Sequence, residues 1–181
     1  LLAQHGIAES EVTFERAGGA LGRFEALLKG AHAGTMLVTP FDLLAMNKGH
    51  VQLARAADAL GAYQGVVAAA RRSWARQNEA SMVGYVRGWR AGVRFLYEPA
   101  NREAAVALLV ANVPAMTPQL ARQSLQVLLD DRRGFFKDPA VDMDGLATVL
   151  ALRSKYGEPR KLLSDPAKYV DHAYVKKAEE R

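Results

Sequence analysis

Residues 11–28 of the chain have the sequence EVTFERAGGALGRFEALL, and this stretch decides the predicted fold. Polar and apolar residues alternate over its first six positions, which predicts a short strand with Val12 and Phe14 on one face. Two glycines end this pattern. Apolar residues then recur at helical spacing until Gly30, so the stretch predicts a strand, a glycine turn and a helix in direct succession.

The same order of elements recurs downstream. Residues 35–38 (TMLV) form a short apolar run typical of a buried strand, and Thr39 and Pro40 follow as a predicted helix start with Thr39 as its cap. Two further strands are predicted at residues 51–54 and 63–70. Strands and helices that alternate over short glycine or proline turns favour an α/β fold with mainly parallel pairing.

The second half of the chain carries helical patterns only. Thr117 and Asp142 are predicted as N-terminal caps, and Gly157 as a left-handed helix end. The change of pattern near residues 62–72 predicts a boundary between two lobes. The predicted helices cover residues 79–98, 101–112, 117–131 and 142–156.

The composition narrows the classes of function. The chain has 181 residues, of which 50% are hydrophobic and 24% charged, as in ordinary globular domains. It contains no cysteine, which excludes disulfides, thiolate metal sites and a cysteine nucleophile. No run approaches the roughly 18 apolar residues of a membrane-spanning helix, so no direct membrane span is expected.

No catalytic or metal-binding pattern stands out. The four histidines are scattered without metal-ligand spacing, and no serine lies in a G-x-S-x-G turn. Acidic pairs lie at predicted helix ends, where they are expected to cap the helix or complement its dipole. We therefore expect a protein that is not an enzyme, with no metal and no cofactor. Trp74 and Trp89 are predicted to be core residues.

The net charge of +5 is concentrated in one segment. Six arginines and one acidic residue lie between Arg71 and Arg94, and Arg87, Arg90 and Arg94 share one face of a predicted helix. This face is interpreted as solvated, although it could also contact phosphates.

Two helix starts are the candidate ligand sites. A glycine turn at Gly18, Gly19 and Ala20 points backbone N–H groups at the start of the following helix, where an anion or a polar group can bind. Thr39 and Pro40 present the same geometry with a hydroxyl group added. Without further context, the glycines are more often needed for the turn alone. Both starts follow predicted strands, and open α/β sheets bind ligands at the carboxyl ends of their strands.

Five motifs follow one another along the chain. They are residues 18–30 (GGALGRFEALLKG), 33–40 (AGTMLVTP), 66–74 (VVAAARRSW), 95–99 (FLYEP) with Glu103 and Ala104, and 156–157 (YG) with 165–171 (DPAKYVD). Taken in this order, they resemble the C-terminal part of periplasmic substrate-binding proteins of ABC importers, in the class that takes up nitrate, sulfonates, taurine and thiamine precursors. Gly34 departs from the pattern, because the family usually carries an aspartate there.

The resemblance implies a type II periplasmic-binding-protein fold with two lobes and an N-terminal portion upstream of Leu1. Residues 1–62 would be the remainder of the second lobe, and residues 63–181 a helix-rich return to the first. Gly18, Gly19, Ala20, Thr39 and Pro40 would line one wall of the cleft between the lobes. Ligand binding would close the lobes, because the closed state binds the ligand better.

The function implied by the resemblance is solute capture for an importer. A small anionic or heteroaromatic solute would be delivered to an ABC permease and its ATPase subunit by a monomer in the periplasm, with its signal peptide upstream. Neither nucleic acid nor a direct membrane span is expected. Two alternatives stay open: a pyrimidine-precursor synthase of the thiamine pathway, which is similar in fold, and a basic helical nucleic-acid-binding protein.

Overall fold

The computed structural model describes residues 2–131 and 134–180. The first residue of the predicted lobe at 1–62, Leu1, and the last residue of the predicted lobe at 63–181, Arg181, lie outside the described residues. This part of the chain is 58% helical. Short 3-10 helices lie at Leu2–His5, Glu9–Glu11, Pro99–Asn101 and Pro166–Tyr169. The α-helices are α1 Ala20–Leu28, α2 Phe41–Asn47, α3 Ala56–Leu60, α4 Arg72–Gln77, α5 Glu79–Tyr97, α6 Arg102–Asn112, α7 Pro118–Leu128, α8 Met143–Tyr156 and α9 Ala173–Glu179.

The predicted α/β fold is wrong. None of the described residues forms a strand, so the two-lobed type II periplasmic-binding fold, which needs a sheet, is not seen. No backbone hydrogen bond joins any two of the four segments predicted as strands, at residues 11–16, 35–38, 51–54 and 63–70. Alternating or apolar patterns express a local preference for extended backbone, but a strand exists only when a neighbour accepts its N–H groups.

The helix predictions of the second half are confirmed within a few residues. The Oγ1 of Thr117 accepts a hydrogen bond from the amide of Leu120 at 3.2 Å, and the carboxylate of Asp142 accepts one from the amide of Asp144 at 3.1 Å. Both caps lie where they were predicted. Gly157 differs from the prediction, because its φ of −83° and ψ of 150° are extended rather than left-handed.

The core lies between α6 and α7. Its apolar residues recur every three or four positions, so one stripe of each helix faces the other. Leu43 and Leu44 of α2 and Phe95 and Leu96 of α5 are partly buried against it. The second half of the chain, which is predicted to be helical, therefore supplies most of the core. The buried residues of this core are Ala105, Val106, Met116, Leu120, Ala121 and Leu125.

The surface is large for the size of the chain. The structure exposes 13118 Å², whereas a compact monomer of 19.7 kDa exposes about 8600 Å². The segments predicted as strands contribute to this surface, since Met36, Val51, Leu53 and Val66 are exposed. Their apolar side chains remain in water because no second layer covers them.

Candidate functional site

The first predicted ligand turn lies at the start of α1. Gly18 has a φ of +71°, a left-handed conformation that favours glycine, and Gly19 is the extended residue directly before the helix. Gly22 is also required, because a Cβ there would lie 2.7 Å from the carbonyl oxygen of Ala17. The glycines thus permit a tight entry into α1, in which Gly18 and Gly19 are exposed and Ala20 is half-buried.

The second predicted turn lies at the start of α2, and its chemistry differs from the prediction. Thr39 does not cap the helix, because its hydroxyl donates to the carboxylate of Asp42 at 3.3 Å instead of accepting a backbone N–H. Pro40 is the last residue before the helix. Thr39 and Pro40 are both half-buried.

The structure brings the two helices that follow these turns into contact. The rings of Phe24 in α1 and Phe41 in α2 lie 5.5 Å apart between centroids and are tilted by 42°. Helix α2 in turn contacts α7, which belongs to the core. The residues predicted to line the cleft therefore lie at the starts of two helices that pack together, and α2 also contacts the core.

Two polar atoms in this helix pair are buried without a hydrogen-bond partner. One is Nε of Arg23 in the first turn of α1, and the other is Oδ1 of Asp42 in the first turn of α2. Buried polar atoms usually have partners, since an unpaired one costs about 1–3 kcal/mol. Both atoms are covered by protein, so a ligand reaches them only by displacing the groups that cover them.

A second group of residues surrounds Tyr97, and the sequence did not predict it. The hydroxyl of Tyr97 donates to the carbonyl of Phe135 at 2.6 Å, and burial is the main cause that raises the pKa of Tyr97. Trp89, predicted as core, is 44% exposed and meets Phe135 edge-on at 6.1 Å. Trp74 is likewise exposed rather than buried. The adjacent cavity of 440 Å³ is open to solvent.

The ammonium group of a lysine lies over the tyrosine ring that lines this cavity. The ammonium of Lys137 lies 4.7 Å from the Tyr97 ring centroid and 2.7 Å from Oδ1 of Asp131. The hydrogen bond between them lowers the pKa of Asp131 and raises the pKa of Lys137. The pair is self-neutralised, so it offers a ligand no net charge.

On the arginine face of α5, Arg87 and Arg94 are exposed, as predicted, and Arg90 is half-buried. Arg87 donates to the carbonyls of Lys177, Ala178 and Glu180 at 3.3, 3.3 and 2.6 Å. Arg90 donates to the carboxylate of Glu179 at 2.9 Å. The end of α9 thus binds two of the three arginines, because a cation is well placed beside the last carbonyls of a helix.

Groups of three or more potential metal ligands are absent from residues 2–131 and 134–180. His32 pairs with Glu15 at 3.1 Å, and Nε2 of His172 is buried without a partner. None of the helices within the described ranges is long and apolar enough to cross a membrane.

Comparison with known proteins gives no match to any family model, curated protein or solved structure.

Proposed function

We propose that the chain is the solute-binding component of an ABC importer, acting in the periplasm, and that it captures a small solute beside α1 and α2. The observation that carries this proposal is the contact between these helices, with Phe24 and Phe41 5.5 Å apart. This contact joins two helices, and each of them begins at one of the turns that the sequence analysis names as candidate ligand sites. Capture and delivery to a permease require no reacting group of the protein.

The side chains at the helix starts favour a heteroaromatic solute over a simple anion. The carboxylate of Asp42 would repel an anion at α2, whereas its unpaired Oδ1 would accept a hydrogen bond from a ring amine that displaced the groups now covering it. The first N–H groups of α1 can donate to ring nitrogens or to a small acidic group, and Nε of Arg23 would do so once uncovered. A solute with both donors and acceptors matches both helix starts.

The nucleic-acid alternative has less support. Its main feature is the arginine face of α5, but Arg87 and Arg90 donate to groups at the end of α9. Phosphate binding would have to displace these bonds. The enzyme alternative has no reacting group to nominate.

A ligand screen with a point variant tests the proposal. Thermal unfolding and calorimetry are measured with aminopyrimidines, taurine, alkyl sulfonates, nitrate and dicarboxylates. A ligand at about a hundred times its Kd stabilises the folded state by about 2.7 kcal/mol. We expect an aminopyrimidine to give the largest shift.

The variant Thr39→Val removes the hydroxyl that holds Asp42 while keeping the shape of the side chain. We expect it to weaken binding about tenfold, the effect of losing one hydrogen bond. Thr148→Val is the matched control, since Thr148 lies on α8 and donates to the carbonyl of Asp144. A blank panel with folded protein, or equal affinity of Thr39→Val and the wild type, contradicts the proposal.

A further inference from the structure

Residues 66–70 (VVAAA) form an apolar segment whose backbone is unpaired. They carry no helix, turn or bend, and none of their backbone groups bonds to another backbone group within the described chain. Among the described residues, a single hydrogen bond reaches this backbone, from Nε2 of Gln64 to the carbonyl of Val66 at 2.8 Å. Val66 is 87% exposed and Val67 52% exposed. Most of these backbone groups have no partner within the described ranges and are exposed to water.

Both ends of this segment are attached to the rest of the molecule. At its start, the side-chain oxygen of Gln64 accepts a hydrogen bond from the amide of Asp142 at 3.0 Å. Gly145 of α8 is buried here, and a Cβ on it would lie 2.8 Å from the amide nitrogen of Gln64. At the other end, Arg72 opens α4 and donates to the carbonyl of Lys168 at 3.3 Å. Because the ends are held, pairing costs less ordering entropy than for a free peptide.

The chemistry of the segment determines what can cover it. A row of unpaired N–H and C=O groups along an apolar segment is satisfied by another extended chain, as in strand addition. Residues 64–70 contain no charge and no proline, which is the composition that pairs with copies of itself. The size of the exposed surface also favours pairing with a second copy. The structure exposes 13118 Å², and this area exceeds that of a compact monomer by more than the roughly 1600 Å² that a standard interface buries.

We propose that residues 66–70 pair with the same residues of a second copy in an antiparallel ladder. The direction follows from charge, because parallel pairing in register would set Arg71 and Arg72 beside the same arginines of the other copy. In the antiparallel arrangement they lie beyond the far end of the partner segment, near its uncharged Gln64. The resulting dimer is two-fold symmetric, and it replaces the monomer that the sequence suggested.

Sedimentation velocity over a range of protein concentrations tests this proposal. We expect the wild type to be dimeric at high concentration and to dissociate on dilution. Val66→Lys places a charge in the pairing segment of both copies, so we expect it to weaken association about a hundredfold, tenfold for each copy. Hydrogen exchange should show protection of alternate amides within residues 66–70 in the concentrated wild type and its loss on dilution.

Leu162→Lys is the matched control for Val66→Lys. Leu162 is 88% exposed and lies outside the helices, so its replacement removes a similar apolar side chain elsewhere. We expect it to associate like the wild type, and circular dichroism checks that both variants keep their helices. A wild type that is monomeric at every concentration overturns the proposal. So does Val66→Lys that associates as tightly as the wild type.

Discussion

Replacing Leu125 tests whether the pair of helices α6 and α7 is the stabilising core. Leu125 lies on α7, is 2% exposed, and belongs to the cluster that includes Val106 and Leu120. Leu125→Ala keeps the helical preference of the position and removes most of the side chain. The change therefore acts through packing.

The expected loss can be worked out from burial. The substitution removes three carbon atoms, which corresponds to about 2.4 kcal/mol of transfer free energy at about 0.8 kcal/mol each. The remaining cavity adds to this, so we expect the free energy of unfolding to fall by about 3–4 kcal/mol. Domains of this size are stabilised by only about 5–15 kcal/mol, so the loss is easily measured.

Urea denaturation of the wild type and two variants measures this effect. The control is Leu108→Ala, since Leu108 lies on α6 but is 54% exposed. We expect the control to lose less than about 1 kcal/mol and the slope of the transition to stay unchanged in both variants. A loss below about 1 kcal/mol for Leu125→Ala, or equal losses for the two variants, would refute the assignment of the core.

Two further predictions concern the charged surface. Arg87→Ala removes the donor to three carbonyls at the end of α9, so amides 173–180 should exchange faster with solvent when measured by hydrogen-exchange mass spectrometry. Arg76→Ala, on α4, is the control and should leave these exchange rates unchanged. Equal exchange rates in Arg87→Ala and the wild type would count against the contact. The hydrogen bond from Arg122 at 2.8 Å lowers the pKa of Glu103 in the folded protein. The pair therefore stabilises the fold at a pH above the pKa that Glu103 has in the unfolded chain, and this contribution is lost as the pH falls through its pKa in the folded protein. An NMR titration should show that Arg122→Gln raises the pKa of Glu103, and an unchanged value would contradict the pairing.

Part of the candidate site could be predicted from the sequence. The turn at Gly18 and Gly19 and the start of a helix near Pro40 follow from glycine and proline chemistry, which acts over a few residues. The contact between Phe24 and Phe41 could not be predicted, since they lie 17 positions apart in the chain and no local rule fixes their distance. The bond from the hydroxyl of Thr39 to Asp42, in place of a cap, was not predicted either.

The predicted strands failed for a physical reason. Residues 35–38 and 66–70 have apolar patterns that suit a strand, but pairing depends on residues far away in the chain or on another molecule. The described residues offer these segments no neighbour. A pattern can therefore indicate extended backbone without determining a sheet.

The sequence by itself determined, within three residues, where α5, α6, α7 and α8 begin and end, whereas α4 and α9 were not predicted. Periodicity and the caps Thr117 and Asp142 act within one or two turns, where the chain carries all the information needed. Only the tertiary structure decided which faces are covered. Arg87 and the end of α9 are about 90 residues apart, as the bond from Arg87 to Lys177 shows, and their contact depends on the path of the whole chain. Burial is a property of distant residues brought together, so the small core between α6 and α7 is fixed by packing rather than by local pattern.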